Sequence, residues 1–175
     1  MTPTSRRICV HTTCYFRCWI NFLILGLACQ AASVRADELA TSKGQTLYLP
    51  IYSHIWYGDI ASDGQPMKAL LSALISIRNT SLKTPLKVIS ARYYNTEGKL
   101  LKEFVSIPKV VAPMGTVELF VEKKESEGGS GANFVIKWEA ATATNPPIIE
   151  AIHTDIQVNR SPAFITTARE IRLDD

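Results

Sequence analysis

The chain has 175 residues, 46% of them hydrophobic, with 19 basic side chains against 16 acidic ones. Four of the basic residues (Arg6, Arg7, Arg17 and Arg35) fall in the first 36 positions, so the remainder carries 15 basic and 16 acidic side chains, a net charge of −1. That near-neutral balance excludes an electrostatic footprint for nucleic acid, and 139 residues beyond position 36 make one domain.

The N-terminus has the three parts of a secretory signal. Arg6, Arg7 and Arg17 give a positive start without an acidic residue, and no side chain is charged from Cys18 to Val34. Ile20, Phe22, Leu23, Ile24, Leu25 and Leu27 form its apolar centre, and Val34-Arg35-Ala36 is a small-residue cleavage pattern followed by Asp37-Glu38. The expected mature chain starts at Asp37, after a signal peptide spanning 1–36. Residues 37–43 are expected to be a disordered linker, 44–172 the folded domain and 173–175 a disordered tail. Localisation is then periplasmic or extracellular. A second reading takes Leu25-Gly26-Leu27-Ala28-Cys29 as a lipid-attachment box with Cys29 as the anchor. A third leaves Cys18 to Val34 uncleaved as a membrane anchor, although the run is short for one. Ser5-Arg6-Arg7 is similar to a twin-arginine signal, but the apolar run begins ten residues later. Cys9, Cys14, Cys18 and Cys29 are the only cysteines. Cleavage after Ala36 therefore removes disulfides, thiol catalysis and thiolate metal sites, and Cys9, Cys14 and Cys18 match no zinc spacing.

From Asp37 onward the chain is a series of short β-branched and aromatic runs separated by turn clusters, the pattern of an all-β sandwich. Leu47, Leu49, Ile51, Ser53 and Ile55 alternate with Tyr48, Pro50, Tyr52, His54 and Trp56, which reads as one strand. A loop runs from Gly58 to Pro66. Leu71, Ala73, Ile75 and Ile77 share a face of the next strand, which ends at Asn79-Thr80-Ser81. Leu86 to Tyr94 and Leu100 to Ile107 pair across Asn95-Thr96-Glu97-Gly98-Lys99, a hairpin turn with Gly98 free to adopt positive φ. Pro113-Met114-Gly115 is a further turn. Val117, Leu119 and Val121 face inward from a fifth strand with Glu118 and Glu122 outward; Phe134, Ile136 and Trp138 do so from a sixth, opposite Lys137 and Glu139. Ile148 to Gln157 and Phe164 to Ile171 complete seven or eight strands. The expected fold is a single immunoglobulin-like β-sandwich without the cysteine pair of antibody domains.

Three constellations are candidates for function. Tyr48, Tyr52, His54 and Trp56 share one face of the expected first strand, beside Tyr57, and stacked aromatics on a sheet face bind sugar rings or a peptide strand. The same face packed against a neighbour would be ordinary core, and Pro50 favours an edge position. Glu127-Gly128-Gly129-Ser130-Gly131-Ala132-Asn133 is a glycine-rich loop whose Gly129, Ser130 and Asn133 could meet an anion or ligand. It also comes close to a nucleophile elbow, but a strand rather than a helix follows. His153 and Asp155 lie two apart on a strand and share a face. With Ser130 and His54 they form the alternative reading, a hydrolase or a metal-dependent enzyme completed by Asp59 or Glu150. Two residues do not complete either site, so no cofactor or metal is expected.

Four segments carry a family resemblance: Gly44 to Ile55, Leu74 to Thr80, Tyr93 to Lys99, and Gly128 to Phe134. In this order they resemble the bacterial domain-of-unknown-function family 3124, over roughly Lys43 to Thr167. The resemblance implies a small exported or envelope-attached bacterial protein of a single domain, and brings no catalytic residue or cofactor. The leading expectation is a non-catalytic envelope module that binds a peptide, glycan or protein partner, with no nucleic acid and with membrane contact only through the signal segment or a lipidated Cys29.

Overall fold

The computed structural model describes residues 40–158 and 161–172. The expected signal peptide, cleavage site and Cys29, and the tail 173–175, lie outside the described residues. The described chain is all β and contains no helix. Its strands are β1 (Ser42–Ile51), β2 (His54–Ile60), β3 (Pro66–Leu70), β4 (Ser72–Arg78), β5 (Leu86–Tyr94), β6 (Leu100–Glu103), β7 (Lys109–Val111), β8 (Thr116–Val121), β9 (Ala132–Thr144), β10 (Ile148–Thr154), β11 (Ala163–Thr167) and β12 (Arg169–Glu170). β1 opens at Ser42, so Ser42 and Lys43 belong to a strand and not to a disordered linker.

Twelve strands replace the expected seven or eight for three local reasons. The first expected strand breaks after Ile51, and its second half becomes β2, which folds back on β3 as a separate two-stranded arm. The segment after Pro108 pairs with β5 as the short β7. The last expected strand breaks at Ala168, where the chain leaves one sheet and joins another.

All pairings are antiparallel, and they form two larger sheets and the arm. The first sheet runs β12-β1-β9-β5-β6, with β7 also on β5; the second runs β11-β10-β4-β8. Period-2 alternation does what the sequence requires. Leu47, Leu49 and Ile51 on β1, with Phe134, Ile136 and Trp138 on β9, bury one face of the first sheet. Ala73, Ile75 and Ile77 on β4, with Leu119 and Val121 on β8, bury one face of the second. These residues form a single apolar cluster, so the two sheets share one core. On the outer face of the first sheet two ion pairs form, Lys87 with Glu139 at 3.7 Å and Arg92 with Glu103 at 3.2 Å. Pro50 pairs only with Asn133 on β9, beyond the two residues where β12 covers β1. Its missing N–H therefore leaves no ladder bond unmade.

Asn79, just beyond β4, is buried and ties two connections together. Its Nδ2 donates to the carbonyls of Thr84 at 2.9 Å, Val111 at 3.2 Å and Ala112 at 3.1 Å, while Oδ1 accepts from the Ser81 N–H at 3.0 Å. Without that amide, three carbonyls and one N–H are left to find other partners where burial permits few. Asn79→Ala is expected to lower unfolding stability by about 2–4 kcal/mol, read as a shift of the urea midpoint at unchanged slope.

Candidate functional site

Tyr52 and His153 meet where β1 ends, with the Gly129 carbonyl bonded to the neighbouring Ser53. The backbone leaves the first sheet at Tyr52. The Tyr52 N–H donates to Nε2 of His153 at 3.2 Å. The Ser53 N–H and hydroxyl both donate to the Gly129 carbonyl, at 3.1 and 2.9 Å, and the Ser53 carbonyl accepts from the Leu71 N–H at 2.9 Å. Three side-chain or loop contacts thus replace the ladder bonds that β1 would have made had it continued.

His153 faces inward from β10 and is fully buried. Its ring stacks on Phe164 at 4.7 Å and 6°, and meets Tyr52 edge-on at 5.8 Å; Tyr52 meets Phe164 edge-on at 5.6 Å. Nε2 accepts, so this nitrogen is unprotonated and the ring is neutral. Nδ1 is buried without a well-formed hydrogen bond, although the Ala151 and Phe164 backbone favours the cation slightly. Burial dominates and pulls the His153 pKa down to about 4. Asp155 shares the face, as the two-residue spacing requires, and is buried. Its carboxylate is taken by the Lys123 ammonium and the Gln157 amide. The acid therefore pairs with a cation, not with the histidine.

The sequence grouped other residues that the fold separates. Tyr48, Tyr52, His54 and Trp56 do not share a face, because the strand breaks between Ile51 and His54. Tyr48 lies on the outer face of the first sheet, opposite Val135 and Arg169. Tyr52 is half-buried in the histidine stack. His54 is buried at the start of the arm, edge-on to Trp56 at 5.0 Å, and its pKa is lowered by burial first and then by Lys68. Trp56 is 47% exposed, with the Lys68 ammonium 5.8 Å from its ring. Tyr57 and Asp59 follow it on the arm, and Glu150 lies on β10. Asn133 sits between Pro50 and Tyr94 at the start of β9. Ser130 is half-buried and its hydroxyl bonds neither histidine; Ser53 takes the loop contact instead. Among the described residues, no three His, Cys, Asp or Glu side chains could hold a metal ion.

The glycine-rich loop is held by specific contacts. Gly128 lies against the Tyr93 hydroxyl, where a Cβ would overlap it, and Gly129 has φ +79°. The Gly128 carbonyl accepts from the N–H and hydroxyl of Thr96 at 2.9 and 3.0 Å, joining the loop to the hairpin turn. The Tyr93 hydroxyl donates to Glu125 at 2.7 Å, and Glu125 also accepts from the N–H groups of Glu127 at 2.7 Å and Gly128 at 3.1 Å. Burial, then the Glu125 bond and charge, push the Tyr93 pKa up. Tyr93 and Glu125 are 32 residues apart, as are Lys123 and Asp155, and no local pattern in the sequence marks either pair.

The buried histidine gives a signed pH dependence. Its folded pKa of about 4 lies below the ordinary 6.5, so the unfolded chain binds its proton first. This part of the stability is complete above pH 6.5, declines as pH falls toward 4 and then levels off. The difference amounts to about 3 kcal/mol. Urea unfolding from pH 7.5 to 4 is expected to show this slope, and His153→Phe to remove it relative to wild type.

No curated protein matches the chain. Among solved structures, the crystal structure of Thermotoga maritima 1070 is similar at 12% identity and a TM-score of 0.39, covering 71% of this chain and 92% of that one. Residues 44–171 match the family described as Protein of unknown function (DUF3124), and the chain belongs to that family.

Proposed function

We propose that the chain is an exported, non-catalytic binding module of the bacterial envelope, whose two sheets form an immunoglobulin-like sandwich and whose partner is a peptide, a glycan or another envelope protein. Cleavage after Ala36 frees it as a periplasmic or extracellular domain; lipidation of Cys29 is the competing route and would tether it. The observation that carries the reading is the division of roles among the aromatic and ionisable residues. His153 and Asp155 are consumed inside the fold by Tyr52, Phe164 and Lys123. The β2–β3 arm, by contrast, presents Trp56, Ile60 and Met67 to solvent beside Lys68. Apolar side chains exposed on a two-stranded arm are a cost to solubility that a partner offsets.

Two measurements test this. A photo-crosslinking residue at position 67, expressed in the native organism, is expected to give one dominant envelope adduct that disappears with Trp56→Ala. No adduct, or one indifferent to Trp56, defeats the reading. The intact mass of the recovered protein should place its N-terminus at Asp37, and an acylated Cys29 would replace that with the tethered form. Stability separates the two aromatics: Tyr52→Ala is expected to cost about 2 kcal/mol, and Trp56→Ala to stay within about 0.5 kcal/mol of wild type.

A further inference from the structure

Among the described residues the second sheet ends at β8, which hydrogen-bonds on one side only, to β4. Its other edge borders a cleft of about 580 Å³ between β8 and β6, lined by Tyr93, Leu101, Phe104, Phe120 and Val121 together with the loop after β8. On the outer face of the sheet, the register places Phe120, Leu74, Ile152 and Ile165 in one row across all four strands. Phe120, Ile152 and Ile165 are 55%, 37% and 58% exposed, and Phe120 ends the row at the free edge. Next to it along β8 on the same face is Glu118, exposed and without an ion pair or hydrogen bond. Arg78 lies one row further, opposite Thr116, and also makes no ion pair.

We propose that the β8 edge binds an extended segment of another protein as an added strand, with an apolar residue opposite Phe120 and a lysine or arginine opposite Glu118. The edge is a second surface, distinct from the β2–β3 arm, so this goes beyond the binding-module reading. The backbone of such a segment completes the unpaired β8 ladder. Its outward residues extend the apolar row and neutralise Glu118, since opposite charges across strands attract. The residue between them points inward toward Leu101 and Phe104. The recognised pattern is therefore apolar, apolar, basic over three consecutive positions. A second copy of β8 does not supply it. Antiparallel self-pairing that keeps inner and outer faces aligned sets Glu118 against Thr116, Glu118, Phe120 or Glu122, none of them a cation.

The probe is a fluorescein-labelled nine-residue peptide carrying isoleucine-valine-lysine in a threonine background, read by anisotropy. Saturable binding is expected, weakened roughly tenfold or more by Glu118→Lys and by Phe120→Ser. A peptide with glutamate in place of the lysine should bind Glu118→Lys and not wild type. An N-methylated peptide that cannot pair should bind neither. Absence of saturable binding, failure of the charge swap, or equal binding of the N-methylated peptide overturns the inference. None of these results touches the arm, so the adduct at position 67 still decides the binding-module reading separately. A peptide-free dimer in sedimentation that Phe120→Ser dissolves would assign the edge to a second copy and overturn it as well. Both substitutions sit at exposed positions, and the urea midpoint of each variant confirms folding.

Discussion

One imidazole nitrogen completes the backbone where β1 leaves its sheet. Pro50 has no N–H to offer, and the ladder to β9 ends at Ile51, so the N–H of Tyr52 must find a partner outside the strand. His153 Nε2 supplies it from the opposite sheet. A buried N–H without such a partner costs about 1–3 kcal/mol. The nitrogen can accept only while the ring is neutral, and burial keeps it neutral. The stack of Phe164 and Tyr52 around the ring excludes water and fixes its plane. The same arrangement that satisfies the backbone thus withdraws the histidine from acid–base work, and it sends β2 away from the core as an arm.

The two sides of the paired sheets are closed unequally. On one side the chain itself crosses over: β11 pairs with β10, the Ala168 N–H donates to the Ile149 carbonyl at 2.9 Å, and β12 then pairs with β1. Thr166 reinforces the seam by donating to the Pro50 carbonyl at 2.7 Å. Among the described residues no strand performs that service between β6 and β8. There the core is covered by the half-buried Leu101 and Phe104 and by the loop after β8. That loop is rigidly tied by Glu125, Thr96 and Ser53, so it borders the cleft without filling it. An unpaired edge next to a fixed cleft is a surface with both backbone and side-chain specificity.

Glycine and asparagine act here through what they touch. Gly128 permits the hydroxyl of the buried Tyr93 to reach the half-buried Glu125 carboxylate. Asn79 performs the equivalent task at the far turn, with four bonds from one amide. Both lie within segments that carry the family pattern, and in each the side chain or its absence is set by a neighbour distant in sequence.

What the sequence determined by itself was local and periodic. The inward faces of β4, β8 and β9, the bounds of β5 and the positive φ of Gly98 follow from period-2 alternation and turn chemistry, which depend on neighbouring residues alone. The shared face of His153 and Asp155 follows the same way. The tertiary structure decided everything that required two distant segments to meet. It broke the apparent strand from Leu47 to Trp56 after Ile51, and there the Tyr52 N–H bonds His153 of the opposite sheet. It gave Asp155 to Lys123, and Ser130 makes no hydrogen bond to either histidine. It also left β8 without an outer neighbour among the described residues. Alternation specifies which way a side chain points and carries no information about which strand lies beside it; that choice is made by packing and by the pairing of buried polar groups across the whole chain.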